Sequence, residues 1–417
     1  MEKQRKYPQL RFNKFNGEWR IKTINQLVEE KIIAKPIDGN HGNIHPKATD
    51  YVPTGIPFIM ACNIKDGDID LINCKFIKKE QADKLQKGFA RRSDVLLTHK
   101  GSIGEVTIVP ENVYDYIMLT PQVTYYRVLN HALLINTYLR FYFNSSFFQK
   151  QLKLYSDSGT RPYIGITEQR NLYISLPILS EQQKIASFFT GIDQKISQLK
   201  QKKTLLEQYK KGVMQKIFSQ EIRFRDVNGQ EFPTWEKKEL GEFLMKHDEK
   251  ATESNQYPVL TSARTGIYFQ KDYFDGNDVA SKDNTGYNVV PRNFFTYRHM
   301  SDDLIFRFNT NTICEKGIVS TLYPVFTTKN INDKFLQVIL NEGIEFRRYA
   351  LEQKQGGSRT YMYFSKLIEL ILTLPCLTEQ NLITNFLSAM DDKIKHTQKQ
   401  IEKAEVWKKG LMQQMFV

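Results

Sequence analysis

Leu176–Ser219 and Leu374–Val417 are one 44-residue segment written twice, without a gap and 198 residues apart. Of the 44 aligned pairs 17 are identical, where unrelated sequences of ordinary composition would give roughly three. Both copies carry a seam stepping by four and three that is apolar at eight of its ten positions. The first runs Ile185, Phe189, Ile192, Ile196, Leu199, Lys203, Leu206, Lys210, Val213, Ile217; the second runs Ile383, Leu387, Met390, Ile394, Thr397, Ile401, Ala404, Lys408, Leu411, Met415. A heptad seam kept over this length predicts a long helix with one elongated partner. Ser180 and Thr378, three residues beyond Pro177 and Pro375, are expected as N-caps. At 1.5 Å per residue each helix would be nearly ~60 Å long. The only partner of matching length in the chain is the other copy, so the chain is expected to be two copies of one plan.

The duplication extends beyond the helices. Arg11-Phe12, Asn16-Gly17 and Trp19 open the first half; Arg223-Phe224, Asn228-Gly229 and Trp235 open the second. Gly159-Thr160-Arg161-Pro162-Tyr163 and Gly357-Ser358-Arg359-Thr360-Tyr361 close them, again 198 apart. Between these ends the halves diverge. The middles are expected to be strand-rich: strands at Asp94–Thr98, Gly104–Val109 and Gln122–Val128 in the first, and at Asn293–Tyr297 and Gly317–Tyr323 in the second. One helix is expected over Tyr138–Leu154 and its counterpart over Phe335–Tyr349. Repeated frames around divergent interiors are what two readers of different targets would need.

The net charge of +13 points to a polyanionic partner, most simply nucleic acid. The charge is uneven: residues 1–179 carry +8, 180–219 carry +5, 220–377 carry −1 and 378–417 carry +1. If the second globular region binds DNA, its cations must be gathered on one face. No apolar run approaches the length of a membrane span, and the polar opening MEKQRKYPQL lacks the apolar core of a signal peptide, so a cytoplasmic location is expected. Four scattered cysteines suit a reducing compartment and form no metal-ligand pair. His41 and His45 stand at helical spacing, but Pro46 and the flanking glycines favour a loop over a metal site. The chain has no GxxxxGK[ST] loop, no NPPY or DPPY tetrapeptide, no glycine-rich dinucleotide turn, no Pro-Asp step leading to a nuclease-like Asp…Glu-x-Lys cluster and no GxSxG elbow. Nothing of catalysis or cofactor binding is therefore expected in it.

With Leu176-Pro177, Glu181-Gln182-Gln183 and Lys210-Lys211-Gly212-Val213-Met214-Gln215 in the first unit, and Leu374-Pro375, Glu379-Gln380 and Lys409-Gly410-Leu411-Met412-Gln413 in the second, the whole chain resembles the specificity subunits of type I restriction-modification enzymes. Asp94–Gly104 looks like a strand–loop–strand of that family's recognition domains, and Phe295–Arg298 with Glu315–Ser320 like those of another subclass. The resemblance implies an α+β fold: two target recognition domains separated by two long helices that pair as an antiparallel coiled coil, with an internal pseudo-twofold repeat. The expected boundaries are 1–179 and 220–377 for the recognition domains, and 180–219 and 378–417 for the spacer helices. It implies a non-catalytic reader of a bipartite site on double-stranded DNA, the helices setting the gap. The implied partners are two methyltransferase subunits and two translocase-nuclease subunits. S-adenosylmethionine, ATP and Mg would belong to those partners. A self-sufficient DNA-modifying or DNA-cutting enzyme and a coiled-coil scaffold are the alternatives; neither accounts for the double layout.

Base edges are read by Arg, Lys, Asn and Gln, whereas phosphates need only cations and donors. The expected DNA contacts in the first domain are Arg91, Arg92, His99, Lys100, Ser102, Arg161 and Tyr163. In the second they are Arg264, Arg292, Tyr297, Arg298, Lys316, Arg359 and Tyr361. Arg91-Arg92 could equally be a solvated pair, Tyr297 a core aromatic, and Arg161 and Arg359 structural. The lysine-rich face of the first long helix is a solvated charge run or a surface for a partner subunit or the spacer DNA.

Overall fold

The structure is a computed structural model that describes residues 7–111, 114–156, 162–276, 283–354 and 359–417. It has two compact units, Met1–Lys202 with Thr397–Val417, and Lys203–His396. The two long helices, Leu179–Phe218 and Leu377–Gln414, each contribute to both.

Each unit is closed at its base by the same pairing. Arg20–Thr23 runs antiparallel to Tyr173–Leu176, the strand that leads into the first long helix. Glu236–Glu239 runs antiparallel to Ile371–Leu374, which leads into the second. Above this base the interiors differ. The first unit has a four-stranded sheet ordered Val106–Ile108, Val95–Thr98, Val123–Tyr126, Ile37–Asp38. Beside it lies a five-stranded sheet, antiparallel except where Ile117–Leu119 runs parallel to Ile56–Ile59. The second unit has one four-stranded sheet, ordered Leu244–His247, Val325–Thr328, Phe295–Thr296, Asn309–Thr310, with small two-stranded ribbons around it.

The expected single helix of each middle is two helices, Asn136–Asn144 and Ser146–Tyr155 in the first unit and Asp333–Glu342 and Ile344–Glu352 in the second. At the first break Ser145 is extended, with ψ 150°, and its hydroxyl accepts the Phe148 N–H. At the second break a Cβ on Gly343 would lie 2.3 Å from the Ile339 carbonyl oxygen, so the turn is closed to side chains there. The long helices also begin earlier than expected, at Leu179 and Leu377. Ser180 and Thr378 thus sit inside the first turn, and in the first helix the Ile178 carbonyl accepts from both Glu181 and Gln182.

The shared Glu-Gln dipeptide ties each helix to its domain. Arg11 donates through Nε and Nη2 to the two carboxylate oxygens of Glu181, both at 2.7 Å. Arg223 does the same to Glu379, at 3.2 and 2.7 Å. Both glutamates are fully buried. The following Gln is equally fixed. Gln182 donates to the Pro177 carbonyl and accepts the Ile135 N–H; Gln380 donates to the Pro375 carbonyl and accepts the Asn332 N–H. Ile135 and Asn332 are the N-caps of Asn136–Asn144 and Asp333–Glu342. One helix entry therefore anchors the opening arginine and the domain's own helix together. Phe12 packs against Phe188 and Phe224 against Phe386 beside it, the first pair edge-on and the second tilted.

The helices pair antiparallel, and the seam is buried where the units have their cores. Ile185, Phe189, Ile192 and Ile196 join Met412 and Met415 in the first. Ile383 and Leu387 join Ile217 in the second. Two of the three seam lysines resolve by symmetry: Lys408 pairs with Asp193, and Lys210, its equivalent in the repeat, pairs with Asp391, the equivalent of Asp193; Lys203 pairs along its own helix with Glu207.

Candidate nucleic-acid interface

In the first unit the strand Val95–Thr98 ends in the turn His99–Ser102. Gly101 and Gly104 both take left-handed φ, +82° and +96°, which lets the chain double back at once. The Thr98 hydroxyl accepts the Glu105 N–H and the Thr98 carbonyl accepts the Gly104 N–H, closing the turn. Pro162–Ile164 buttress it from the side: Gly101 N–H donates to the Pro162 carbonyl and Ile164 N–H to the His99 carbonyl. Lys100 and Ser102 are exposed at the tip, with the Lys100 ammonium 5.7 Å from the centre of the Tyr163 ring.

His99 is not at the surface. Its side chain is buried, its Nδ1 is 2.8 Å from the Thr124 hydroxyl, and its ring lies 5.8 Å from that of Tyr163. Its Nε2 has no hydrogen-bond partner in the structure. Burial pushes its pKa down to about 4, against which the nearby Asp38 carboxylate pulls weakly upward. The folded ring thus refuses a proton that the unfolded one takes up near pH 6.5, so stability is lost as the pH falls from 6.5 toward 4. His99→Gln is expected to abolish that part of the loss, up to about 3 kcal/mol at 1.36 kcal/mol per unit; denaturant melts of both proteins at pH 6.5 and 4.5 measure it. A wild-type and variant loss of equal size would show that His99 does not titrate in this way.

Arg91 and Arg92 are exposed, but at the other end of Val95–Thr98. At ~3.3 Å per residue that strand separates them from the Lys100 tip by roughly 13 Å, so the structure does not gather them with Lys100 and Tyr163. Arg161 lies outside the described residues.

The second unit places its residues differently. Tyr297 is buried, its hydroxyl donating to the Met362 carbonyl at 2.9 Å, and it packs on Phe308. Arg298 is exposed. Most other cations are held by a carboxylate: Arg264 by Asp303 at 2.7 Å, Arg292 by Glu315 at 2.6 Å, Arg359 by Asp302 at 3.0 Å, and Lys316 by Glu249 at 2.7 Å. These pairs face solvent, where each contributes ~0–1 kcal/mol, so a phosphate could compete for the cation. Arg264, Arg359 and Tyr361 come together because Met300–Ser301 pairs with Thr360–Tyr361 and leads directly into Asp302-Asp303. Arg292 and Lys316 lie at the far end of another pairing, Pro291 opposite Lys316. Sequence reasoning missed His299 and Tyr363, whose rings stack beside Tyr361. The alternation Tyr361-Met362-Tyr363 on an extended segment was the available signal. Among the described residues no group of three or more His, Cys, Asp and Glu could hold a metal ion, and no helix is long and apolar enough to cross a membrane.

Comparison with known proteins agrees with this layout. The family model of the type I restriction modification DNA specificity domain matches residues 16–208. The chain is 24% identical over 389 residues to the MjaVIII specificity subunit of a type I restriction enzyme from Methanocaldococcus jannaschii, covering 85% of this chain and 84% of that one. To the EcoBI specificity subunit from Escherichia coli it is 24% identical over 173 residues, which span 40% of this chain and 33% of the relative. In fold it is similar to the S subunit of a type I restriction-modification system from M. genitalium, with a TM-score of 0.52 at 14% identity over 99% of each chain. The long helices, the repeated Arg–Glu pairs and the matched specificity domain converge: residues 16–208 match the type I restriction modification DNA specificity domain, and over most of its length the chain is similar to the specificity subunits of type I restriction-modification systems.

Proposed function

We propose that the chain is the non-catalytic DNA reader of a type I restriction-modification complex. The recognition domains, 1–179 and 220–377, each contact one half of a bipartite site, and the helices at 180–219 and 378–417 set the gap between the halves. The observation that carries this reading is the repeated latch, Arg11–Glu181 and Arg223–Glu379, mounting two dissimilar sheet interiors on one helical frame. Two identical mounts with different contents suit a split target whose halves differ in sequence.

In the first domain Lys100, Ser102 and Tyr163 are the leading contacts, with Arg91, Arg92 and Arg161 as backbone contacts. In the second, Arg264, Arg298, Arg359 and Tyr361 lead, with Arg292 and Lys316 further along. His99 and Tyr297, being buried, shape these surfaces from beneath. Two methyltransferase subunits dock on the helices, and two translocase-nuclease subunits complete the restriction form. S-adenosylmethionine, ATP and Mg are carried by those partners. In favour of paired docking, the same repeat position bears an exposed aromatic in both helices, Tyr209 and Trp407, each more than half exposed.

The test is a methylome of cells carrying the complex with altered chains. Lys100→Ala is expected to relax one half-site only if Lys100 reads a base, at about 1–3 kcal/mol. Contact with phosphate would weaken all sequences alike and lower the salt slope by about one. Four residues inserted after Leu199 add about one helical turn, 5.4 Å, and should lengthen the gap by about one or two base pairs at ~3.4 Å each. A rewritten half-site with unchanged spacing would refute the ruler.

A further inference from the structure

Three rings stand together on the surface of the second unit. Tyr361 and Tyr363 are nearly parallel, 5.7 Å apart and inclined by 11°. His299 lies 4.9 Å from Tyr363 and 6.0 Å from Tyr361. The two tyrosines are 41% and 51% exposed. Being two residues apart on extended backbone, they fall on the same face. His299 comes from the neighbouring chain segment, where its carbonyl accepts the Met362 N–H at 2.7 Å and its Nδ1 donates to the Leu322 carbonyl. The ladder is thus held in place from two sides while its tyrosines stay about half exposed. Holding exposed tyrosines in one arrangement gives up rotamer freedom without the gain of burial, which points to a ligand that completes the stack.

The chemistry of that ligand follows from the surroundings. The arginines next to the ladder, Arg264 and Arg359, are each engaged by an aspartate from Asp302-Asp303. These two cations are matched by carboxylates, so attraction for phosphate is not what distinguishes the ladder itself. What it presents is aromatic area with hydrogen-bonding side chains at the rim, the pairing that recognises a nucleobase. In intact duplex DNA the bases show only their edges in the grooves. Their faces become available only where a step is opened or a base leaves the stack. The first unit is built differently at the same place: the position 198 residues before Tyr363 is Gly165, and Tyr163 is met by the buried His99 ring and the Lys100 ammonium.

We propose that His299, Tyr361 and Tyr363 form a stacking platform for a nucleobase displaced from the duplex within the half-site contacted by the second domain. The first domain has no counterpart of Tyr363 and carries no such platform. This inference rests on the DNA-reading function proposed above.

The experiment uses the full chain assembled with its modification subunits and duplexes of the target found by methylome mapping. A single mismatch is placed at each position of the two half-sites in turn. A mismatched base is already loosened, so less work is needed to displace it. One mismatch position in the second half-site is expected to tighten binding about tenfold, and none in the first, in line with the strength of base–aromatic stacking. Tyr363→Ala should remove that preference, and Tyr363→Phe, which keeps the ring, should retain it. If the matched duplex binds with ordinary salt dependence but no mismatch in the second half-site is favoured, or if Tyr363→Ala keeps the preference, the platform is overturned and the DNA reading stands. If no duplex is bound in a salt-sensitive way, the DNA reading itself fails, and the platform with it.

Discussion

Arg223→Met is expected to destabilise the second unit by about 3–5 kcal/mol, because it strands a buried carboxylate. Glu379 is fully buried, and its charge is met by the Arg223 guanidinium and by the Trp235 indole N–H at 3.1 Å. Removing the cation leaves one neutral donor against a full negative charge. The guanidinium gains in the opposite sense: its pKa is raised, first by the hydrogen bond to Glu379. The double change Arg223→Met with Glu379→Leu should recover most of the loss, since a buried ion pair is often replaceable by apolar groups while half of one is not. Trp235 would then lose its acceptor, but the equivalent Trp19 Nε1 already has no partner in the first unit, so the fold tolerates it. Denaturant melts of the three variants decide the matter. If the double variant is as unstable as the single one, the latch matters through its shape rather than its charge.

Ile383→Glu should cost at least about as much. Ile383 is 1% exposed, in the core formed by the second long helix with Ile217 and Trp235. The substitution loses some 1.5–3 kcal/mol of apolar burial and adds an unpaired acid with no route to water. Ile185, its equivalent 198 residues earlier, is 2% exposed in the first unit's core, and Ile185→Glu should act alike. Thermal melts read both, and Val406→Glu, at a residue 71% exposed on the second helix, serves as the control. Equal melting temperatures for Ile383→Glu and Val406→Glu would mean that the helix is not seated on the second domain's core.

What the sequence determined by itself was the frame. A seam of period 3.5 repeated at a fixed offset can be satisfied only by long helices facing apolar partners, and both helices form with nearly the expected bounds. Short apolar and β-branched runs bounded by turn residues likewise revealed Val95–Thr98, Val106–Ile108 and Val123–Tyr126, which are buried at nearly every position. The helix breaks at Ser145 and Gly343 were missed because the apolar spacing continues across them, although a capping serine and a glycine marked both places in the sequence. Arg11 and Arg223 were visible as repeated residues, but not their acceptors. Glu181 and Glu379 lie 170 and 156 positions away, and a contact of that separation leaves no local pattern.

The site divides in the same way. Lys100 and Ser102 could be picked out because glycines bound the turn and force its tip outward. His99 and Tyr297 have the same polar chemistry as their exposed neighbours, and only the tertiary structure turned them inward, to Thr124 and the Met362 carbonyl. The cations of the second domain read as free charges in sequence, whereas folding delivered Asp302, Asp303, Glu249 and Glu315 to them. Residue type and spacing fix which groups a chain owns and which face of an element they occupy. Which of those groups meet, and which remain open to a ligand, depends on contacts between segments far apart in the chain, and so only the tertiary structure could decide it.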